Sequence, residues 1–278
     1  MKYAAVVLIL FAVRAPAEEP PLPAAEIMRR TAENMDRAQT ERALYVYDQN
    51  VFVRMKRANG KTAREESRDY VIVPGEKGAK RKLVKLEGKV VEGKKEIPYS
   101  DPKFRTKKMD IDGELTDSFA HDLLWKKDGQ IDWFPMHKDK VDHYVFTLDG
   151  TEKYHDYDVW RIDYRPKKRG WDDDDGCWTG EALIERSEFQ PVLVTSSWDC
   201  KVPMAVKALL GINVQHIGAK IAFRRFDNDV WFPVSCGGEM KLRIFFMYAR
   251  SIAFSASADH FRKADVDSSI QFENETDQ

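Results

Sequence analysis

The chain has 278 residues, with 45 Lys and Arg against 46 Asp and Glu and a formal net charge of −1 at pH 7. A balance that close lacks the basic excess with which proteins neutralise phosphate, so no nucleic-acid partner is expected. Charged residues at 33% beside 12% aromatics describe a well-solvated surface over a core rich in rings.

The N-terminus reads MKYAAVVLILFAVRAPAEEP: one lysine, an apolar run from Ala4 to Val13, then Ala15-Pro16-Ala17 with the small-x-small spacing that signal peptidase reads. Residues 1–17 are expected to be a secretory signal, cleaved near Ala17, and the product to be periplasmic or secreted. An apolar first element of the fold is the alternative. The run is far shorter than the about 20 residues a membrane-spanning helix needs. The mature chain carries no longer one and is not expected to span a membrane.

Residues Ala24 to Gln39 then follow a helical period, with Ile27, Met28, Thr31, Ala32 and Met35 on one face. From Arg42 the period turns strand-like. ALYVYDQNVFVRMKR and KTAREESRDYVIVP flank Asn59-Gly60, a strong short hairpin signal. Residues 75 to 113 are charged and predict only short strands at Leu83-Val84 and Val90-Val91. ELTDSFAHDLLW predicts a second helix, with Leu115, Phe119, Leu123 and Leu124 in one stripe and Thr116 or Asp117 as its N-cap.

DHYVFTLDG and YDVWRIDYRP predict a strand pair around a loop at Gly150 to Asp156. Tyr144, Phe146 and Leu148 share one face of the first; Trp160, Ile162 and Tyr164 share one face of the second. CWTGEALIERSEFQPVLVTSSWDC predicts a further hairpin, PMAVKALLG a short inserted helix, and KIAFRRFDNDVWFPVS, KLRIFFMYA and SIAFSASADHF more strand. KLRIFFMYA is apolar on both faces, with Leu242, Ile244, Phe246 and Tyr248 opposite Phe245 and Met247, which predicts a central strand covered on both sides. The pattern predicts a mainly β, α+β fold: one large antiparallel sheet with an N-terminal helix and one or two inserted helices against it.

The cysteines are Cys177, Cys200 and Cys236. The midpoint of the first two falls inside Ser187-Glu188-Phe189-Gln190, so a hairpin turning there sets them opposite one another at bridgeable separation. Two unpaired thiols, or a register one residue different, are the alternatives. Cys236 then stays free, as a small buried apolar residue.

The four aspartates Asp172 to Asp175 fail the EF-hand template: with Asp175-Gly176 at its fifth and sixth positions, Trp171 and Ala182 stand where acids are required. A solvated loop tip balanced by Lys167, Lys168 and Arg169 and a looser calcium site both stay open. The histidines are scattered, with no HExxH, and there is no GxSxG elbow, phosphate loop or CxxC. No catalytic residue, metal or cofactor is expected, though paired carboxylates for glycoside cleavage are not excluded by a chain this acidic.

The order of elements, with YVFTLDGTEKYHDYDVWRIDYRPKK, GEALIERSEFQPVLV and RRFDNDVWFPVS, resembles the outer-membrane lipoprotein-sorting proteins. This LolA/LolB-like group includes the N-terminal domain of RseB-type regulators. The resemblance spans roughly residues 25 to 265. It implies a single domain over 18–265, before a polar tail at 266–278, with a curved, half-closed antiparallel sheet whose apolar concave face is covered by helices.

The implied partner is a lipid, an acyl chain or a lipidated protein, held non-enzymatically by groove residues such as Phe146, Trp160, Tyr164, Phe245 and Met247. Simple packing of the same side chains beneath the helices is the alternative. An RseB-like envelope module binding a protein partner, and an exported hydrolase, are the competing functions. The chain is longer than typical carriers and departs from the group in its acidic loop and cysteine pair.

Overall fold

The computed structural model describes residues 22–75, 79–120, 136–170, 176–198, 200, 213–226, 230–244 and 248–264. In chain order these form α1 (Ala24–Arg42), β1 (Tyr45–Arg57), β2 (Thr62–Val73), β3 (Lys80–Glu92), β4 (Lys95–Tyr99), α2 (Ile111–Ser118), α3 (Lys138–Val141), β5 (Tyr144–Tyr154), β6 (Tyr157–Pro166), β7 (Trp178–Glu185), β8 (Pro191–Trp198), β9 (Asn213–Phe226), β10 (Val230–Ile244) and β11 (Tyr248–Lys263). All the strands join one antiparallel sheet, ordered β4-β3-β2-β1-β11-β10-β9-β8-β7-β6-β5 and not closed on itself.

α1 forms because Ile27, Met28, Thr31, Ala32 and Met35 recur on one face, and all five are buried. That face packs on β10 and on the edge strand β5. Strands lie about 4.8 Å apart, so β10 and β5, five steps apart in the order, are about 24 Å apart in a flat sheet. A helix is only about 10–12 Å across, but α1 is about 28 Å long and could span them lengthwise. The curl is carried by another contact: the rings of Trp231 on β10 and Tyr157 on β6 are 5.3 Å apart, which makes the face they share concave.

The core follows from register. Val51, Val53 and Met55 of β1 stand opposite Ala256, Phe254 and Ile252 of β11, and all six are buried. The β1–β2 hairpin turns where Asn59-Gly60 predicts it, with Gly60 at φ +80 and its N–H donating to the Arg57 carbonyl at 2.8 Å.

Several expectations need correction. The short strands expected within 75–113 are instead one 13-residue strand, β3, and the shorter β4. Lysines along an exposed edge disguise the run, because an edge strand needs no apolar alternation. The N-cap of α2 is Asp110, which accepts from the Gly113 N–H at 3.0 Å. Thr116 and Asp117 lie inside the helix, and Leu123 and Leu124 lie outside the described residues. KLRIFFMYA is not one strand: β10 ends at Ile244, β11 begins at Tyr248, and these two residues face each other across the ladder. Likewise the chain reverses between Phe226 and Val230 inside the run read as KIAFRRFDNDVWFPVS. β5 runs into the loop expected at Gly150 to Asp156 as far as Tyr154, leaving the turn at His155-Asp156 and absorbing Asp149 as a bulge opposite Ile162 and Arg161. The PMAVKALLG helix lies outside the described residues.

Candidate functional site

Of the residues named for the groove, Phe146, Trp160 and Tyr164 share one face at the β5 end of the sheet. Phe146 on β5 is directly opposite Tyr164 on β6, and Leu148 is opposite Ile162. Tyr144, one step along the same face from Phe146, has its ring 5.9 Å from Tyr164 and edge-on to it. Their exposure separates them. Trp160 and Tyr164 are buried, whereas Phe146 and Leu148 are half-buried on a strand that, among the described residues, pairs on one side only. Phe245 and Met247 lie outside the described residues.

Tyr164 reaches across β7. Its neighbour there is Gly180, and Gly180 is opposite Ser196 of β8. A Cβ on Gly180 would sit 2.6 Å from the Tyr164 hydroxyl and 1.9 Å from the Thr195 carbonyl oxygen. Glycine is therefore what lets the phenol pass over β7 and hydrogen-bond Ser196 Oγ and the Thr195 carbonyl. Burial pushes this phenol well above its ordinary value, so it stays protonated.

Trp160 is covered from above. The β7–β8 turn folds back so that Phe189, at φ +53, sets its ring 5.1 Å from Trp160. The Arg186 guanidinium lies 5.6 Å from the same indole. The turn is pinned to α1, where Asn34 Nδ2 donates to the Glu188 carbonyl at 2.6 Å and Arg30 lies over Phe189. Glu188 Oε2 also accepts from Trp231 Nε1 of β10 at 2.7 Å. Helix, turn and far strand thus close one end of the curve.

Cys177 and Cys200 form a disulfide with Cα atoms 5.1 Å apart. The register differs by one residue from the directly opposed one: Trp178 faces Trp198, so Cys177 stands one step beyond that pair and Cys200 two. A bulge at Val192, between Leu183–Leu193 and Ile184–Pro191, brings the register to within one residue of the opposed one, and the remaining residue lies between Trp198 and Cys200. Cys236 is free and buried between Ile221 and Ala256 on neighbouring strands, its thiol pushed up to about 12 by burial. The run Asp172 to Asp175 lies outside the described residues.

At the other end of the sheet the same face is charged, which the sequence pattern did not reveal. Arg64, Glu66 and Arg68 alternate along β2 opposite Met55, Val53 and Val51, and all three are buried. Arg64 donates to the Tyr99 hydroxyl at 2.7 Å, to Asp110 Oδ2 at 3.0 Å and to the Phe104 carbonyl at 3.1 Å. Tyr99 donates to Glu66 at 2.6 Å, Glu66 accepts from Arg68, and Arg68 donates to Asp117 at 2.7 Å. Asp112 completes the set, taking two hydrogen bonds from Arg250 at 2.7 and 3.0 Å and one from the Tyr248 hydroxyl. Burial pulls against the Arg68 charge, but Glu66, Tyr70 and Asp117 together outweigh it and raise the guanidinium. Burial likewise works against the Asp110 carboxylate, yet the Thr106 and Gly113 N–H groups, with Arg64, hold it below the usual range. This network ties α2 to β2, β4 and β11. The period-two signal was present in AREESRDY, but charged residues on a strand read as its solvent face until register places them inside.

Among the described residues one group has metal-ligand proximity: Asp48, Asp259 and His260, with ligand atoms within 4.8 Å of one another. Asp48 and Asp259 are opposed in the β1–β11 ladder, far apart in sequence and so invisible there. His260 uses Nδ1 on Asp48 at 3.0 Å and on Asp259 at 3.2 Å, and is 72% exposed. Self-paired groups open to water are ordinary surface chemistry, and we assign no metal to them.

No protein-family model and no curated protein matches the sequence. Solved structures do. One is a LolA superfamily protein of Nitrosomonas europaea, at 10% identity over 88% of this chain and 96% of that one, with a TM-score of 0.33. Another is a DUF1329 family protein of Desulfovibrio piger, at 13% identity over 89% and 96%, TM-score 0.37. A third is an outer membrane lipoprotein-sorting protein domain of Vibrio parahaemolyticus, at 9% identity over 84% and 92%, TM-score 0.35. The first and third carry names of the group that the order of elements resembles.

Proposed function

We propose that the chain is a non-enzymatic carrier or binding protein that acts outside the cytoplasm and takes an acyl chain, as a free lipid or on a lipoprotein. The observation that supports it is the apolar row Tyr144, Phe146 and Leu148. It faces the concave side of a sheet that does not close, and Phe146 and Leu148 stay half-buried beside a packed core. A row of this kind at the open edge suits a flexible apolar guest, which needs area and no directional partner. Each methylene moved out of water contributes about 0.8 kcal/mol, so about ten contribute about 8 kcal/mol before ordering costs. Trp160 and Tyr164 belong to this reading as the wall behind the row, since both are buried. No helix among the described residues is long and apolar enough to cross a membrane.

The test is a titration with a fluorescent fatty acid, alongside mass spectrometry of lipids that co-purify with the chain from an envelope fraction. Saturable binding competed by unlabelled phospholipid is expected. A chain that carries no acyl species and leaves the probe in water rules the reading out, and a stable protein partner without lipid points to an interaction module instead.

A further inference from the structure

The opposite edge of the sheet carries a second surface. β4 pairs only with Gly88–Glu92 of β3, so from Lys80 to Glu87 the described residues leave β3 as a bare sheet edge. Residues 79–108 hold eleven Lys and Arg against four Asp and Glu, in a chain whose net charge is −1. Along this edge Lys80, Lys82 and Lys85 are exposed, and Lys94 and Lys95 are exposed at the turn that ends the strand. Among the described residues the exposed large apolar side chains are Leu44, Leu83, Val84 and Met109, and Leu83 and Val84 sit among these lysines.

Lysines on a bare edge have an ordinary role, which is to stop another strand from pairing with it. That role gives no reason for Val84 to be 62% exposed. The register supplies the geometry: Asp69 faces Lys85 and Tyr70 faces Leu83, so Val84 is the extra residue of a bulge. A bulge re-aims its side chain and interrupts the ladder. The interruption disfavours an added peptide strand, which needs a continuous row of backbone partners. A surface without register, which takes cations at its headgroups and small apolar side chains just below them, fits better.

We infer that the Lys80–Lys95 edge, with Leu83 and Val84 at its bulge, docks the protein on an anionic lipid surface. The lysines supply attraction over a Debye length, and the two apolar side chains enter the interface. This surface is at the other end of the sheet from the Tyr144–Leu148 row, so it stands independently of the carrier reading.

The experiment is co-sedimentation of the full chain with vesicles of phosphatidylcholine alone and of phosphatidylcholine mixed with phosphatidylglycerol. Binding to the mixed vesicles only, weakening as salt is added, is expected. Replacing Lys80, Lys82 and Lys85 together by Ala lowers the partition coefficient about fivefold per lysine, roughly a hundredfold in all. Val84→Ser lowers it up to roughly tenfold with all charges kept. All variants share one N-terminus, so differences between them report on the edge. Circular dichroism and binding of the fluorescent fatty acid stay at wild-type level, which separates this surface from the acyl site. Equal binding to neutral vesicles, or variants that sediment like the wild type, overturns the inference. So does affinity for soluble polyglutamate without affinity for vesicles, which identifies an acidic peptide as the partner.

Discussion

Trp231 on β10 and Tyr157 on β6 hold their ring centroids 5.3 Å apart, although β9, β8 and β7 lie between their strands. Four steps of a flat sheet span about 19 Å, so this contact records how far the sheet has curled. Trp231 is almost fully buried and donates to Glu188 in the turn that is pinned to α1. Trp231→Ala is expected to cost about 3–5 kcal/mol, as for other buried large-to-small changes. Trp231→Phe keeps most of the area but loses the Nε1 donor, and is expected to cost about 1–3 kcal/mol. Urea unfolding of the two variants checks both values.

The disulfide between Cys177 and Cys200 closes a loop with a sequence separation of 23. Chain-entropy arithmetic for a loop of this size gives about 3 kcal/mol. Replacing both cysteines by Ser is expected to lower stability by about that amount. In the wild type, reduction should lower it similarly and leave the variant unchanged. Thiol titration of the native chain should find Cys236 unreactive, because it is buried and its thiol is pushed up to about 12. One reactive thiol should appear on unfolding under non-reducing conditions.

Asp110 links three parts of the charged network: it caps α2, accepts from Thr106 and pairs with Arg64. Its carboxyl is held below the usual range in the folded state, so its contribution is complete above the unfolded value of about 3.9. That contribution is lost as pH falls through the folded value. Asp110→Asn leaves the buried Arg64 charge without its counter-ion and is expected to cost about 3–5 kcal/mol at neutral pH. The gap between wild type and variant should narrow as the pH drops below about 4. Thermal midpoints measured down an acid series test this, and a gap that stays constant contradicts the role given to the carboxylate.

Legibility in the sequence depended on whether a signal was local. The α1 stripe from Ile27 to Met35 and the turn at Asn59-Gly60 were readable because a few neighbouring residues determine them. The reversal at Phe226 to Val230 did carry a local signal, the Asp227-Asn228-Asp229 cluster, which the reading of one continuous run passed over. The one at Ile244 to Tyr248 was not readable, since apolar residues continue through it. The charged row Arg64, Glu66, Arg68 and the meeting of Asp48 with His260 depend on strand register between distant segments. Period two shows that residues share a face but not which face is inside. The cysteine spacing did carry long-range information, and the register it implied was off by one residue at the Trp178–Trp198 pair.

Phe146 and Trp160 were named together as groove residues, and the structure gives them different surroundings. Trp160 is 8% exposed and packed between Phe189 and Arg186. Phe146 is half-buried on the edge strand, its ring 6.3 Å from that of Tyr144 and its ladder partner Tyr164 in the same wall. Trp160→Ala should therefore act on stability, at about 3–5 kcal/mol, and on ligand binding only through loss of folded protein. Phe146→Ala gives up less packing, about 1–2 kcal/mol, because its ring already meets water. If the row holds an acyl chain, the same variant should weaken binding of the fluorescent fatty acid by roughly tenfold, the value of the apolar contact removed. Phe146→Asp should weaken it further, by placing a charge against the chain. Paired unfolding and binding curves separate the two residues. A Phe146→Asp variant that binds the probe like the wild type would remove this edge from the site while leaving the account of the core intact.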